Sequence, residues 1–202
     1  RRSSDLKLVD SPHTQGKAVY AIINTLHEKN KREENHSRRV SELCERLAKA
    51  YGMGDMAASE LRLVGLLHDI GKIAIPESIL NKEGRLTAEE WKEMKRHAEI
   101  GYRILNSVED MAGLAQYVLA HHEHYDGNGY PKGLKGEEIP LQSRIICIAD
   151  AYDAMTASRP YRKTVTAEQA ASEIKRCSRT QFDPALVKVF IEDVLALDYE
   201  GV

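Results

Sequence analysis

Seven side chains of metal-ligand type are spread across this chain: His36, the pair His68-Asp69, His97, the pair His121-His122, and Asp150. They constrain the fold more than any other feature, because most fall on apolar stripes. Residues three or four apart share a helix face, so His68 lies with Leu61 and Val64, His36 with Val40, Leu43 and Leu47, and His121 with Leu114 and Val118. An inward-facing histidine alone is ordinary. Several of them buried together with Asp69 and Asp150 need partners of opposite charge or a metal, since an uncompensated buried charge is costly. The chain must therefore bring segments more than a hundred residues apart to one point.

Apolar spacing is helical nearly everywhere and no period-two alternation stands out, so the expected class is all-α. Helices are expected at about 17 to 29, 34 to 51 and 57 to 70. Thr87-Ala88-Glu89-Glu90 is a capping box opening one helix whose face carries Trp91, Met94, Ala98, Gly101 and Leu105. Further helices are expected at about 110 to 122 and 142 to 157. Thr166-Ala167-Glu168-Gln169 forms a second capping box, and Asp183-Pro184 pairs an N-cap with Pro at the first helical position. Residues 123 to 141, with four Gly and two Pro, cannot be regular helix and read as a functional loop.

At 202 residues the chain can bury a sizeable core without staples. Residues 1 to 16 read as a linker or the tail of an upstream element, and 17 to 202 as one catalytic domain. A formal net charge of -2 gives no basic stripe of the kind that nucleic-acid polymers attract. No stretch approaches the roughly 20 apolar residues of a membrane span. Cys44, Cys147 and Cys177 are odd in number and lack Cys-x-x-Cys spacing, which suits a reduced cytoplasmic protein. The Arg at position 1 suggests a piece of something longer.

Imidazole with carboxylate suits Fe, Mn, Zn, Ni or Co, and the absence of Cys from the set argues against a structural zinc cage. A carboxylate such as Asp69 can bridge two ions, which could hold a bridging water and clamp a phosphoryl group for in-line attack. Lys72, four residues after His68, could add a positive charge for phosphate oxygens. The chemistry indicated is phosphoester hydrolysis.

The order His, His-Asp-Ile-Gly-Lys, His, His-His, Asp resembles the HD metal-dependent phosphohydrolase superfamily. The run His121 to Pro131, then Lys132 to Leu141, Ile148-Ala149-Asp150-Ala151-Tyr152-Asp153 and Arg159-Pro160-Tyr161-Arg162, resembles its HD-GYP branch, phosphodiesterases of the bacterial messenger cyclic di-GMP. The likeness covers about residues 20 to 195. It implies an HD-domain helical bundle with an added Gly/Pro-rich GYP loop and C-terminal helices, acting as a signalling output domain. It implies hydrolysis of cyclic di-GMP to linear pGpG, and on to GMP in some members, by in-line attack of a metal-bridging hydroxide.

Carried over by position, the resemblance puts His36, His68, Asp69 and Asp150 around one ion, and Asp69 as bridge with His97, His121 and His122 around the other. Lys72 and Asp153 fall beside the attacking water or scissile phosphate, and Tyr130, Arg159 and Arg162 against the dinucleotide. Iron is the metal expected from the family. An upstream sensor or receiver domain and a GGDEF-type partner docking on the GYP loop are the implied protein partners.

Three departures stand out. His124 follows the His-His-Glu triplet where Arg is common, and Arg179 stands where Gly usually precedes Thr-Gln-Phe-Asp-Pro. Asn30-Lys31-Arg32-Glu33-Glu34 replaces the usual segment before His36. Members with three ions carry a Glu four residues before the first His, where this chain has Arg32; Glu33 is the candidate extra ligand, and two ions are expected. The competing readings are an HD phosphohydrolase of different substrate and a catalytically weak module that docks partners through the GYP loop.

Overall fold

The computed structural model describes residues 21 to 157 and 165 to 202, apart from residues 22, 26 and 29. The expected linker at 1 to 16 and the substrate-contact residues Arg159 and Arg162 lie outside the described residues. Residues 21, 23 to 25, 27 and 28 are helical, within the first expected helix.

Regular structure among the described residues is helical, as the periodicity indicates, with β pairing confined to an isolated bridge between Ser178 and Phe182. We number the helices α1 (Lys31–Ala50), α2 (Asp55–Leu67), α3 (Glu77–Leu80), α4 (Ala88–Lys95), α5 (His97–Asn106), α6 (Ala112–Leu119), α7 (Leu141–Thr156), α8 (Ala167–Arg176) and α9 (Pro184–Val189). Both capping boxes close as the sequence indicates, Thr87 with Glu90 and Thr166 with Gln169. The Asp183 carboxylate accepts from the Ala185 N–H at 2.9 Å.

Several boundaries move. Helix α1 begins earlier than its apolar stripe, because Asn30 caps it by accepting from the Arg32 and Glu33 amides. The segment opened by Thr87 is two helices rather than one: the Arg96 amide bonds back to the Glu93 carbonyl, a tighter turn that ends α4 before α5 starts at His97. Past α2 the chain tightens into a 3-10 turn at Ile70–Ala74. Helix α3 was not foreseen, and α9 runs on into a wider π turn at Phe190–Val194.

Helix α1 lies at the centre, packed against α2, α7 and the π turn. Its buried Val40, Leu43, Cys44 and Leu47 meet Leu61 and Val64 of α2, Ile145 and Ile148 of α7, and Phe190 in one core. Full burial of each large apolar side chain contributes roughly 1.5 to 3 kcal/mol. The α1–α2 approach is close because Gly65 faces Ser41; a Cβ there would come within 2.9 Å of the Ser41 Cα. Buried Asp183 also accepts from Arg144 Nη1 at 2.6 Å, tying α9 to α7.

Arg179 has φ 67°, the left-handed region that favours glycine, and its amide donates to the Phe182 carbonyl at 2.9 Å. The turn is thus kept with a residue that costs about 1 to 2 kcal/mol to hold there. We expect Arg179→Gly to leave thermal stability unchanged or higher. Arg179→Val, β-branched at positive φ, should lose about 1 to 2 kcal/mol, a fall of roughly 2 to 8 °C in Tm for a domain of this size, read by calorimetry.

Candidate metal centre

The two adjacent pairs, His68-Asp69 and His121-His122, both sit where a helix stops. Helix α2 ends at Leu67, and Asp69 adopts φ -99°, ψ 9°, the sparsely populated bridge region common at active sites. Helix α6 ends at Leu119 and Ala120 turns at φ -97°, ψ 5°. On a continuing helix neighbours point about 100° apart. Breaking the helix lets both members of each pair face one point: His68 Nε2 is 3.2 Å from Asp69 Oδ2, and the His121 and His122 ring centres are 3.9 Å apart.

His97, Asp150 and His36 complete the set from α5, α7 and α1. His36 Nε2 lies 3.2 Å from Asp150 Oδ1 and 3.6 Å from Asp69 Oδ2. His97 Nε2 lies 3.4 Å from Asp69 Oδ1 and 3.1 Å from His122 Nε2. Two clusters of donor atoms result, His36 with His68 and Asp69, and His97 with His121 and His122, the atoms of each lying within 4.8 Å of one another. Asp69 spans them, with Oδ2 toward the first and Oδ1 toward the second. The structure thus brings all seven sequence-identified ligand candidates together.

The tautomers suit a cation. His68, His97 and His121 each have Nδ1 at 2.5 to 2.7 Å from the carbonyl three residues back, of Gly65, Met94 and Val118. Carbonyls only accept, so Nδ1 carries the proton and the Nε2 lone pair faces inward. His68 Nε2 is buried and has no hydrogen-bonding partner among the described residues beyond the Asp69 carboxylate at 3.2 Å, a buried nitrogen of the kind a metal satisfies. Burial, then neighbouring imidazoles, push His121 down to about 3 and His122 well below its ordinary value, while burial lowers His97. These rings are neutral at pH 7, the form that can ligate a cation. Burial works against charge on His36, but hydrogen bonds that its ring donates to the Asp150, Asp153 and Asp69 carboxylates overcome it and pull its pKa up to about 11. Carboxylates that draw a proton so strongly would stabilise a divalent cation, so the donor set fits the metals it implies.

Around this centre three groups of expected function take different places. The Lys72 ammonium lies 2.6 Å from Asp69 Oδ2 and 2.9 Å from Glu33 Oε2; burial opposes its charge, and Asp69 and Glu33 raise its pKa nonetheless. Glu33 is therefore engaged in an ion pair with Lys72. Asp153, expected beside the water or phosphate, accepts from His36 Nδ1 at 2.7 Å and from Arg39 Nε and Nη2 at 2.5 and 3.0 Å. Tyr130 stacks on His122, ring centres 4.8 Å apart and planes at 29°, and its amide donates to the His122 carbonyl at 3.1 Å.

Sequence reasoning assigned no role to Arg39 or Glu123. Arg39 is three residues after His36, on the same face, and that spacing could have found it. Glu123 is buried and accepts from the Lys132 and Leu134 amides at 2.7 and 3.0 Å, pinning the loop that carries Tyr130. A second hold comes from the Tyr125 and Asp126 amides, which donate to the Gln181 and Thr180 carbonyls. Gly129 is obligatory here, since a Cβ would lie 2.2 Å from the His124 amide nitrogen.

The HD domain model matches residues 21–186, and the chain belongs to the HD domain family. The chain is 40% identical over 187 residues to a "3'3'-cGAMP-specific phosphodiesterase 2" of Vibrio cholerae, covering 92% of this chain and 36% of that protein. A "Cyclic di-GMP phosphodiesterase" of Thermotoga maritima is 43% identical over 178 residues, 86% of this chain and 48% of that protein. The chain thus spans less than half the length of these two relatives. Among solved structures, an HDG"Y"P protein from Bdellovibrio bacteriovorus superposes with a TM-score of 0.67 at 21% identity, covering 90% of this chain and 61% of that one. These relatives bear out the resemblance to the HD-GYP branch.

Gly71 sets how closely the Asp69 turn approaches α5: a Cβ there would lie 2.0 Å from the His97 carbonyl oxygen and 2.5 Å from the Gly101 amide nitrogen. Gly71→Ala must push α5, and His97 with it, away from Asp69. The expected outcome is a stability loss of about 1 to 3 kcal/mol with weakened metal retention, measured by denaturant unfolding and elemental analysis. Gly113→Ala, with open space around its Cβ, should change neither.

Proposed function

We propose that this chain is a metal-dependent phosphodiesterase that opens cyclic di-GMP to linear pGpG. The observation that carries the reading is the Asp69 carboxylate, which directs one oxygen to each donor cluster. A bridging carboxylate between two histidine-rich clusters suits a two-ion hydrolase. Two divalent ions, with Fe as the family's expected metal and Mn, Ni, Co or Zn compatible with the same donors, would be held by His36, His68, Asp69 and Asp150 and by Asp69, His97, His121 and His122. When bound they supply a water acidified toward neutral pH and positive charge for the phosphoryl oxygens.

The remaining steps belong to the protein's own groups. The Lys72 ammonium, held at Asp69, provides a cation at the edge of the centre for a non-bridging phosphate oxygen, strengthened by the low local dielectric. Tyr130, fixed on the His122 ring, offers a phenol against the dinucleotide, and Arg159 and Arg162 are its proposed clamps through bidentate phosphate or guanine contacts. Asp153 acts on His36 rather than on substrate. Arg32, standing where members with three ions carry a Glu, favours two ions over three. Without a third cation the linear product, with its extra terminal charge, would rebind poorly, so pGpG should accumulate ahead of GMP.

The Vibrio relative's name favours a second reading, in which the same centre opens a mixed guanine–adenine cyclic dinucleotide. The whole protein's partners are proposed on the resemblance: an upstream sensor or receiver domain, and a GGDEF-type protein at the Tyr130 loop. No helix among the described residues is long and apolar enough to cross a membrane, and the three free cysteines support a cytoplasmic setting.

Asp69→Ala should abolish hydrolysis of cyclic di-GMP while far-UV circular dichroism keeps its helical signal. Full activity in that variant, or in chelated protein verified metal-free, refutes the metal mechanism. Chromatography of the wild-type reaction should show pGpG first; prompt stoichiometric GMP with three ions per chain contradicts the two-ion assignment. For selectivity, Arg159→Ala should weaken cyclic di-GMP binding by roughly ten- to a hundredfold, about 1.5 to 3 kcal/mol, with metal content unchanged. Preferred turnover of the mixed dinucleotide would move the assignment to the second reading.

A further inference from the structure

The ligand imidazoles are not held in the same way. His68, His97 and His121 each anchor Nδ1 to a carbonyl three residues earlier, so the segment that carries the ring also fixes it. His36 has no such local anchor. Its Nδ1 is held by Asp153, 117 residues away on α7, at 2.7 Å. Asp153 is in turn gripped by the Arg39 fork through Nε and Nη2, at 2.5 and 3.0 Å, and Arg39 comes from α1, one turn after His36. The contact closes a loop: α1 to α7 through His36–Asp153, and back to α1 through Arg39.

Each member depends on the others. The Asp153 carboxylate is buried, and a buried carboxylate stays ionised only with compensation. Two parallel N–H···O bonds from a guanidinium supply charge and orientation together. The ionised carboxylate then fixes the His36 ring so that Nε2 points at Asp69 and Asp150. Among the described residues the His97, His121 and His122 cluster is held differently, with two of its three rings anchored to carbonyls of their own segments and His122 stacked on Tyr130.

We propose that Arg39 is a positioning residue for the His36 half of the centre, acting through Asp153, and that the two halves therefore hold metal unequally: loss of Arg39 releases the ion at His36, His68, Asp69 and Asp150 while the other is kept. This rests on the two-ion reading above. Partners that orient a ligand imidazole typically change metal affinity 10- to 100-fold, and here that factor falls on one site of two.

The test uses Mn2+ as the probe, loaded without air into the metal-free chain. Elemental analysis after desalting counts ions per chain, and release into excess chelator is followed in time. Wild type should keep two ions. Arg39→Met, which preserves the apolar stem, should lose one ion roughly 10- to 100-fold faster and keep the second at the wild-type rate. Arg39→Lys restores the charge but not the fork and should fall between. Circular dichroism and thermal unfolding of the metal-free forms check that α1 and α7 remain docked; should Arg39→Met not fold, Arg39→Lys and Arg39→Gln carry the comparison. Retention of both ions at wild-type rates, or equal loss of both from a folded variant, overturns the proposal. A wild-type chain that holds no Mn2+ would instead refute the two-ion reading on which the proposal rests.

Discussion

The buried carboxylate of Asp69 is the constraint on which the rest of the structure turns. With its side chain 5% exposed, it would be prohibitively costly as an isolated anion. His36, His68, His97 and Lys72 all come within 2.6 to 3.6 Å of its two oxygens. Those four groups arrive from α1, the end of α2, the start of α5 and the 3-10 turn. Helix packing that left any of them out would bury the anion with less compensation, so the electrostatics of one side chain and the arrangement of the bundle select each other.

That arrangement needs backbone to approach backbone, and glycine sets the distances. Gly65 lets α2 settle on α1 at Ser41, Gly71 lets the Asp69 turn reach α5, and Gly129 folds the Tyr130 loop over His122 and Glu123. Two of the three are within two residues of a proposed metal ligand or substrate contact. Polar atoms already aimed at one point lose little by reorganising when charge develops there.

Much of this was legible in the sequence, for identifiable reasons. Inward histidines show because apolar residues three and four away mark the buried face, as for His68 with Leu61 and Val64. Capping boxes show because both members lie within four residues. The break at Arg96 was not legible: the apolar pattern runs unbroken from Trp91 to Leu105, and only a backbone bond from the Arg96 amide to the Glu93 carbonyl separates α4 from α5. The helix ends that aim His68-Asp69 and His121-His122 at one point were hidden likewise, since periodicity cannot report where a helix stops within a turn. Asp153 stood in the right motif, yet its bond to His36 across 117 residues is a tertiary fact. Glu123 accepts from amides nine and eleven residues ahead, with no local signature.

The two donor clusters therefore rest on different kinds of support. Carbonyl anchors at His97 and His121 persist as long as their own turns do, and resist slippage between helices. The His36 anchor exists only while α1 and α7 keep their mutual register, because it is an ion-paired contact between them. Asp150 and Asp153 lie one turn apart on α7, so one helix both contributes to the first cluster and orients its histidine. A small shift of α7 along α1 would disturb both contributions together and leave the carbonyl-held rings in place. Sensitivity to the α1–α7 register is thus concentrated at His36 and Asp150, which the Asp69 carboxylate links to the carbonyl-held rings.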